Sequence, residues 1–178
     1  MKNLFYLLIF STITVSFGSC SSNTSDDAWR EANWTAYEAI TKDTNYNKLT
    51  VGNGYTDNNG PTGVYYRVEQ SGTGTEYPLQ TSKVKVLYKG TYYDGSVFDA
   101  GTSGNDFPTE FSLAGTSVVR GFSFALQQMV VGDKWEIWIP YYLGYGSVGL
   151  QDAYYNTIIK PYTTLIFEVE LVSITQYP

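Results

Sequence analysis

The chain has 178 residues, of which 43% are hydrophobic, 17% aromatic and only 16% charged, with 17 tyrosines and 17 glycines. This length suits one domain with a substantial core, and the composition favours strands and turns over helices. The net charge of −6 argues against a nucleic-acid partner, because no basic cluster could neutralise phosphates. The absence of histidine and the single cysteine exclude disulfides, His-ligated metals and Ser-His or Cys-His catalysis. We therefore expect no metal and no cofactor.

The first 19 residues have the pattern of an export signal. Lys2 precedes an apolar run from Leu4 to Phe17, which is short for a membrane span, and small residues come before Cys20. The pattern resembles that of bacterial lipoproteins, which are cleaved before such a cysteine and lipidated on its sulfur. We expect an exported protein, anchored by Cys20 to a bacterial membrane, the outer membrane above all, and facing the periplasm or the cell surface. The alternative is a plain signal peptide that leaves Cys20 as a free thiol.

Residues 20–63 are predicted to form a tether, one helix and a loop. Ser21 to Asp27 is a polar spacer, and Asn45 to Gly63 is rich in Asn, Gly and Thr, which is typical of a loop. Between them, Ala28 to Ile40 is predicted to be a short amphipathic helix. Its apolar residues recur at helical spacing: Trp29, Ala32, Ala36 and Ile40. This helix either packs on its own domain or docks a partner, such as a second copy in a weak homodimer.

The stretch from Val84 to Asp99 predicts a hairpin with one buried face. Val84, Val86 and Tyr88 alternate with lysines and Leu87, as expected for a half-buried strand. Asp94-Gly95 supplies the tight turn. Asp99 then follows Phe98 on the return strand, although Asp is rare in strand interiors and is costly to bury without a partner.

The remaining sequence predicts further strands, one core helix and two loops. Strands are predicted at Val64–Val68, Glu110–Leu113, Trp135–Pro140 and Tyr162–Thr175. Loops are predicted at Ala100–Asp106, which is Gly-rich, and at Tyr141–Pro161, which is long and Tyr-rich. The segment after Val118 leads into a helix that ends at Gly132. The residues expected on its buried face are Phe122, Ala125, Leu126 and Met129.

Five segments of this chain resemble the FKBP family of peptidyl-prolyl cis-trans isomerases in their order and spacing. They are V-x-Y-x-G-x-x-x-D-G-x-x-F-D at 86–99, V-V-R-G-F at 118–122, L-G-Y-G-x-x-G at 143–149, I-I-x-P at 158–161 and T-L-I-F-E-V-E-L at 164–171. The resemblance covers about residues 64–174 and implies an FKBP-like domain over residues 64–178. The fold class it implies is α+β, with an antiparallel β-sheet wrapped around one short α-helix and preceded here by the N-terminal helix.

The resemblance also implies a pocket for a proline side chain. Its catalytic residues would be Tyr88, Phe98, Asp99, Phe122, Tyr145 and Phe167. Its substrate-binding residues would be Phe107, Val118, Val119, Ile158 and Ile159. Phe122 would form the floor, where well-known members have Trp, and Tyr145 would direct its hydroxyl at the carbonyl before the proline. Many members pair the aspartate with an Arg in the following loop, which the Gly101–Asp106 segment lacks, and Leu150–Thr157 is longer than usual.

This resemblance implies an enzyme that accelerates X-Pro rotation in exported proteins and so assists their folding. The reaction breaks no covalent bond, so it needs no nucleophile, and a chain without histidine can perform it. Taken singly, each of these residues also suits an ordinary place in a core or a turn. Two other functions stay open from the residues: a non-catalytic module that binds a polypeptide or a glycan through exposed tyrosines and Trp138, and a purely structural lipoprotein.

Overall fold

The computed structural model of the protein describes residues 24–50, 63–101 and 107–176. The helices are α1 (Thr24–Lys42) and α2 (Arg120–Leu126). The strands are β1 (Asn47–Leu49), β2 (Val64–Gln70), β3 (Lys83–Thr91), β4 (Val97–Ala100), β5 (Thr109–Ser112), β6 (Lys134–Ile139), β7 (Leu150–Gln151), β8 (Thr157–Ile159) and β9 (Leu165–Gln176). The predicted signal segment, Cys20 and most of the predicted Ala100–Asp106 loop lie outside the described residues. Among the helices that are described, none combines the length and apolarity needed to cross a membrane.

Seven strands form one antiparallel sheet around β3. The order is β1-β2-β6-β9-β3, and both β4 and β5 pair with the other edge of β3. β9 pairs with the whole length of β3, from Lys83 to Thr91. Because β5 covers the first half of β3 and β4 covers the second half, the β3–β4 hairpin lies at one end of the sheet.

The core lies on the face of this sheet that α2 covers. Val84, Val86 and Tyr88 of β3 are buried there, as their alternation predicted. Gly121 of α2 lies directly against the side chain of Ile139 in β6, and a side chain at position 121 would clash with it. The predicted α+β fold, an antiparallel sheet packed against one short helix, is therefore confirmed.

Several predicted elements differ from the structure at their ends or in their interior. α1 begins at Thr24, within the predicted spacer, rather than at Ala28. α2 ends at Leu126 rather than near Gly132, because the chain then tightens into turns in which Gln128 N–H donates to Ala125 O and Met129 N–H donates to Leu126 O. The predicted loop 45–63 contains β1, which pairs with β2. The predicted loop 141–161 contains a 3₁₀ turn at 141–143 and the β7–β8 hairpin. β1 depends on its partner β2 rather than on local periodicity, and β7 and β8, of two and three residues, are too short to show a period-two pattern.

The N-terminal helix packs on its own domain. The Tyr37 hydroxyl donates to the Gly63 carbonyl at 2.7 Å, and Asn33 Oδ1 accepts the Thr164 N–H at 2.9 Å. Asn33 and Tyr37 are fully buried, whereas the predicted Ala32, Ala36 and Ile40 are only half-buried. The stripe that packs on the domain therefore runs through the half-buried Trp29 and the buried Asn33 and Tyr37, because the polar groups on this face find partners in the domain.

Candidate active site

Four of the predicted rings meet beside the second half of β3. Tyr88 comes from β3, Phe98 from β4, Phe122 from α2 and Phe167 from β9; we call these four the ring cluster. The ring centroids of Phe122 and Phe167 are 4.8 Å apart, those of Phe98 and Phe167 are 5.4 Å apart, and those of Tyr88 and Phe122 are 6.2 Å apart. These separations fall within the range in which aromatic pairs attract each other. Residues far apart in the sequence thus form one apolar surface.

Gly90 makes the close approach of these rings possible. It is paired with Phe167 across β9 and with Asp99 across β4. A Cβ at this position would lie 2.6 Å from Phe98 Cζ and 2.9 Å from Phe167 Cε1. Since such distances are sterically forbidden, any side chain at position 90 would displace the rings.

The carboxylate of Asp99 is held by Tyr88. The Tyr88 hydroxyl donates to Asp99 Oδ2 at 3.0 Å, and Asp99 itself is exposed, so its charge keeps contact with water. Burial and then the bond to Asp99 raise the pKa of Tyr88 well above its usual value of 10.0. Tyr88 is therefore a hydroxyl donor at neutral pH, and it orients Asp99 in the absence of the expected arginine.

Tyr145 lies near the same carboxylate. Burial first, and then the negative charge of Asp99, raise the pKa of Tyr145 above its usual value of 10.0. The Tyr145 hydroxyl is therefore also protonated at neutral pH and can donate a hydrogen bond.

Val118 and Val119 lie with Tyr145 on a neighbouring groove of about 800 Å³. Leu113, Phe124 and Tyr142 complete its apolar part, and none of the four rings of the ring cluster lines it. Val119 is extended, with φ −63° and ψ 148°, and its carbonyl accepts the N–H groups of Phe122 and Ser123 at the start of α2. The predicted residues thus form two adjacent surfaces, the ring cluster and this groove.

The other three predicted substrate-binding residues differ in their surroundings. Ile159 belongs to the same hydrophobic core as Tyr88, Phe122 and Phe167. Ile158 is half-exposed, and its carbonyl accepts the Tyr92 hydroxyl at 3.2 Å. Phe107 is 65% exposed and makes no ring contact with the rest of the described chain. Ile159 thus lies in the core to which the ring cluster belongs, whereas Phe107 stays exposed outside that core.

Two aromatic residues next to the cluster are absent from the predicted set. The Phe111 ring lies 5.5 Å from that of Tyr88 and 6.0 Å from that of Phe122. The Tyr92 ring lies 5.1 Å from that of Phe98. The sequence placed Phe111 within a predicted strand, but it did not indicate that this strand pairs with β3. The only indication for Tyr92 in the sequence was its position just before the Asp94-Gly95 turn.

The chemistry available here is solvation and hydrogen bonding. Apolar rings lie beside one carboxylate and the hydroxyls of Tyr88 and Tyr145. In the described part of the chain, no three His, Cys, Asp or Glu residues are grouped so that they could hold a metal ion. Such a surface suits an amide that rotates out of plane, since the twisted amide has lost resonance and carries less charge than the planar one.

Comparison with known proteins identifies the family. Residues 74–172 match the family model described as FKBP-type peptidyl-prolyl cis-trans isomerase. The FKBP-type 22 kDa peptidyl-prolyl cis-trans isomerase of Escherichia coli is 40% identical over 117 residues, which cover 66% of this chain and 52% of that protein. The outer membrane protein MIP of Legionella longbeachae is 38% identical over 114 residues, which cover 64% of this chain and 45% of that protein. The chain thus spans about half the length of these two relatives.

One solved structure resembles this chain over almost the whole of its own length. The crystal structure of a peptidyl-prolyl cis-trans isomerase from Pseudomonas syringae has a TM-score of 0.66 and 31% sequence identity. The match covers 84% of this chain and 96% of that one. The predicted resemblance is therefore confirmed: the chain belongs to the FKBP-type peptidyl-prolyl cis-trans isomerase family.

Proposed function

We propose that the protein is a peptidyl-prolyl cis-trans isomerase that accelerates rotation about X-Pro bonds in exported polypeptides. Family membership supports this proposal. The structural observation that carries it is the convergence of Tyr88, Phe98, Phe122 and Phe167 above Gly90, beside a hydrogen-bonded Asp99. A structural lipoprotein would need no carboxylate and donor hydroxyl beside these rings, and the assay below separates an enzyme from a binding module.

The mechanism follows from the electronic structure of the amide. Resonance sets a barrier of ~18–20 kcal/mol to rotation, and X-Pro bonds isomerise unaided in tens of seconds. A proline ring placed against Phe122 and Phe167 is removed from water, which disfavours the charge-separated planar amide relative to the twisted one. The site therefore lowers the barrier by binding the rotated state more tightly, with no covalent step.

The polar groups would orient the peptide. In this proposal the Tyr145 hydroxyl donates to the carbonyl before the proline, and the Val119 N–H, which precedes the α2 hydrogen-bond ladder, holds the chain in register. Asp99 fixes Tyr88 and the local field and does not exchange protons. Phe122 would give the pocket a smaller floor than the Trp of well-known members. We therefore expect the affinity for macrolides to be reduced more than the rate of isomerisation.

The test is a proline-limited peptide or refolding assay on the purified full-length protein. We expect the wild type to accelerate the slow phase. Phe98→Ala should lower kcat/KM roughly 100-fold by removing one wall, and Tyr145→Phe should lower it roughly tenfold by removing one hydrogen bond. Tyr154→Phe changes an exposed hairpin residue and is the matched control, expected to leave kcat/KM within about twofold. A wild-type rate equal to that of buffer would refute the proposal, and binding of peptide or glycan without acceleration would assign the binding module instead.

We further propose that the domain over residues 64–178 is exported and anchored by a lipid on Cys20, with residues 1–19 as its signal. The family relative named as an outer membrane protein supports an envelope location. Mass spectrometry of the membrane fraction should find a diacylglyceryl-modified N-terminal cysteine, and Cys20→Ser should move the protein to the soluble fraction. An unmodified Cys20, or membrane retention of the variant, would contradict the anchor. A homodimer through α1 would have to use the face opposite Asn33 and Tyr37, since these are buried within the protomer.

A further inference from the structure

A line of aromatic contacts joins the N-terminal helix to the ring cluster. The Trp29 ring lies 5.5 Å from that of Tyr92, edge-on at 78°. Tyr92 lies 5.1 Å from Phe98, which in turn lies 5.4 Å from Phe167. The sequence places Trp29 only on one face of a helix that precedes the matched region, yet its ring is two contacts away from the cluster.

Trp29 is itself held firmly on its other side. Its Nε1–H donates to Thr163 Oγ1 at 3.2 Å, and Lys160 Nζ lies 5.0 Å from the centre of its ring. One turn further along α1, Asn33 forms two buried hydrogen bonds with Thr164, directly before β9. The helix is therefore fixed to the segment that leads into β9, which carries Phe167.

Phe98 needs such support because its strand pairing is incomplete. β4 has four residues, and its register with β3 shifts between Gly90 and Thr91. Asp99 pairs with Gly90 and Val97 pairs with Thr91, so Phe98, which lies between them, has no residue opposite it on β3. At such an irregularity the backbone ladder determines the direction of the side chain less strictly. Packing against Tyr92 and Phe167 then decides where the Phe98 ring lies.

Tyr92 stands between these two groups. Its ring contacts Trp29 on one side and Phe98 on the other, and its hydroxyl donates to the Ile158 carbonyl at 3.2 Å. Its position is therefore set jointly by α1, β4 and β8. Removing Trp29 would leave Tyr92 free to move into the vacated space and away from Phe98.

We propose that Trp29 is a positioning residue for the isomerase site, which holds Tyr92 against Phe98 and so fixes one wall of the ring cluster. The inference rests on the proposed isomerase function and extends the functional unit beyond the matched residues 74–172 to the N-terminal helix. It assigns α1 a part in catalysis that is distinct from any role as a tether.

The first test compares two tryptophans of α1 in the full-length protein. Trp29→Ala should lower kcat/KM roughly 5- to 20-fold, because a displaced wall misaligns the bound proline. Trp29→Phe, which keeps a ring against Tyr92, should recover activity to within about threefold of the wild type. Trp34→Ala is the matched control, since the Trp34 ring contacts Tyr37 rather than Tyr92, and it should leave kcat/KM within about twofold.

A double-mutant cycle separates positioning from general stability. Tyr92→Ala and Trp29→Ala should together lower kcat/KM no more than the more damaging single change, since both act on Phe98. The inference would be overturned if the double variant lost the product of the two single losses in kcat/KM. It would also be overturned if Trp29→Ala and Trp34→Ala lowered kcat/KM equally. Each variant is assayed below its thermal midpoint, and Trp29→Leu replaces Trp29→Ala should the latter unfold. An active wild type with an unaffected Trp29 variant contradicts the inference alone, whereas an inactive wild type contradicts the proposed function.

Discussion

The ring cluster and the β7–β8 hairpin carry similar side chains in opposite surroundings. Tyr88 and Phe122 are 8% and 3% exposed, whereas Tyr154 and Tyr155 at the hairpin turn are 85% and 84% exposed. The cluster collects rings from three strands and a helix. The hairpin turn is local, held by Asp152, whose carboxylate accepts the N–H groups of Tyr154 and Asn156.

In the ring cluster, the same residues form the proposed site and stabilise the fold. In the β7–β8 hairpin, the exposed tyrosines contribute little to stability. A ring of the cluster cannot change without disturbing the core, because the same contacts bury it and shape the proposed site. The hairpin tyrosines contribute little to burial, so replacing them should cost little stability.

The largest effect should come from Phe122→Ala. Loss of this buried ring should lower the free energy of unfolding by about 3–5 kcal/mol, the usual range for deleting a core aromatic, and should abolish the proposed activity as well. Tyr154→Ala should change the free energy by no more than about 0.5 kcal/mol. Urea denaturation measures both, and similar losses in the two variants would erase the distinction between the regions.

Asp99→Val should act on the proposed site more than on stability. Losing the partner of the Tyr88 hydroxyl should lower kcat/KM roughly tenfold, and Asp99→Asn, which keeps an acceptor oxygen, should lower it less. A pH–rate profile is the decisive measurement. A positioning role predicts the same shape for wild type and variant, and a bell-shaped dependence that only the wild type shows would mean that Asp99 transfers protons.

The cluster should also make the protein sensitive to alkali. Below pH 10 Tyr88 is protonated in both the folded and the unfolded chain, so its contribution is fully present. Above that pH the unfolded chain loses its proton first, because burial and Asp99 raise the pKa of the folded-state hydroxyl, and stability falls as pH rises. Tyr88→Phe should reduce this slope by up to about 1.4 kcal/mol per pH unit. Phe122→Leu removes no titratable group and should lower the whole curve without changing its slope.

The smallest effect should distinguish two neighbours in the hairpin. Tyr155 has φ 64°, in the left-handed region that favours glycine, and Tyr154 does not. Tyr155→Gly should therefore be more stable than Tyr154→Gly by about 1 kcal/mol, because only the first change relieves backbone strain. Thermal denaturation of the two variants tests this, and equal midpoints would mean that the turn is unstrained.

Local chemistry made part of this molecule predictable. Alternation identified β3 and its buried face, and Asp94-Gly95 identified the turn, where Gly95 has φ 82°. The stripe on α1 was predicted only in part, since Trp29 was identified and the buried Asn33 and Tyr37 were not. A polar residue becomes a core residue only when a distant backbone supplies its partner, and Thr164 supplies that of Asn33.

The sequence by itself determined the available chemistry and the family. A chain without histidine that carries Phe98-Asp99 after an Asp-Gly turn contains a carboxylate and rings but no Ser-His or Cys-His pair. The order and spacing of its motifs identify the family without any knowledge of the structure. Only the tertiary structure decided which tyrosines of the described residues are buried, that the Tyr88 hydroxyl donates to Asp99, and that Trp29 reaches the site through Tyr92. The physical reason is that burial and partnership arise from strand register and helix docking, which join residues that no local pattern connects.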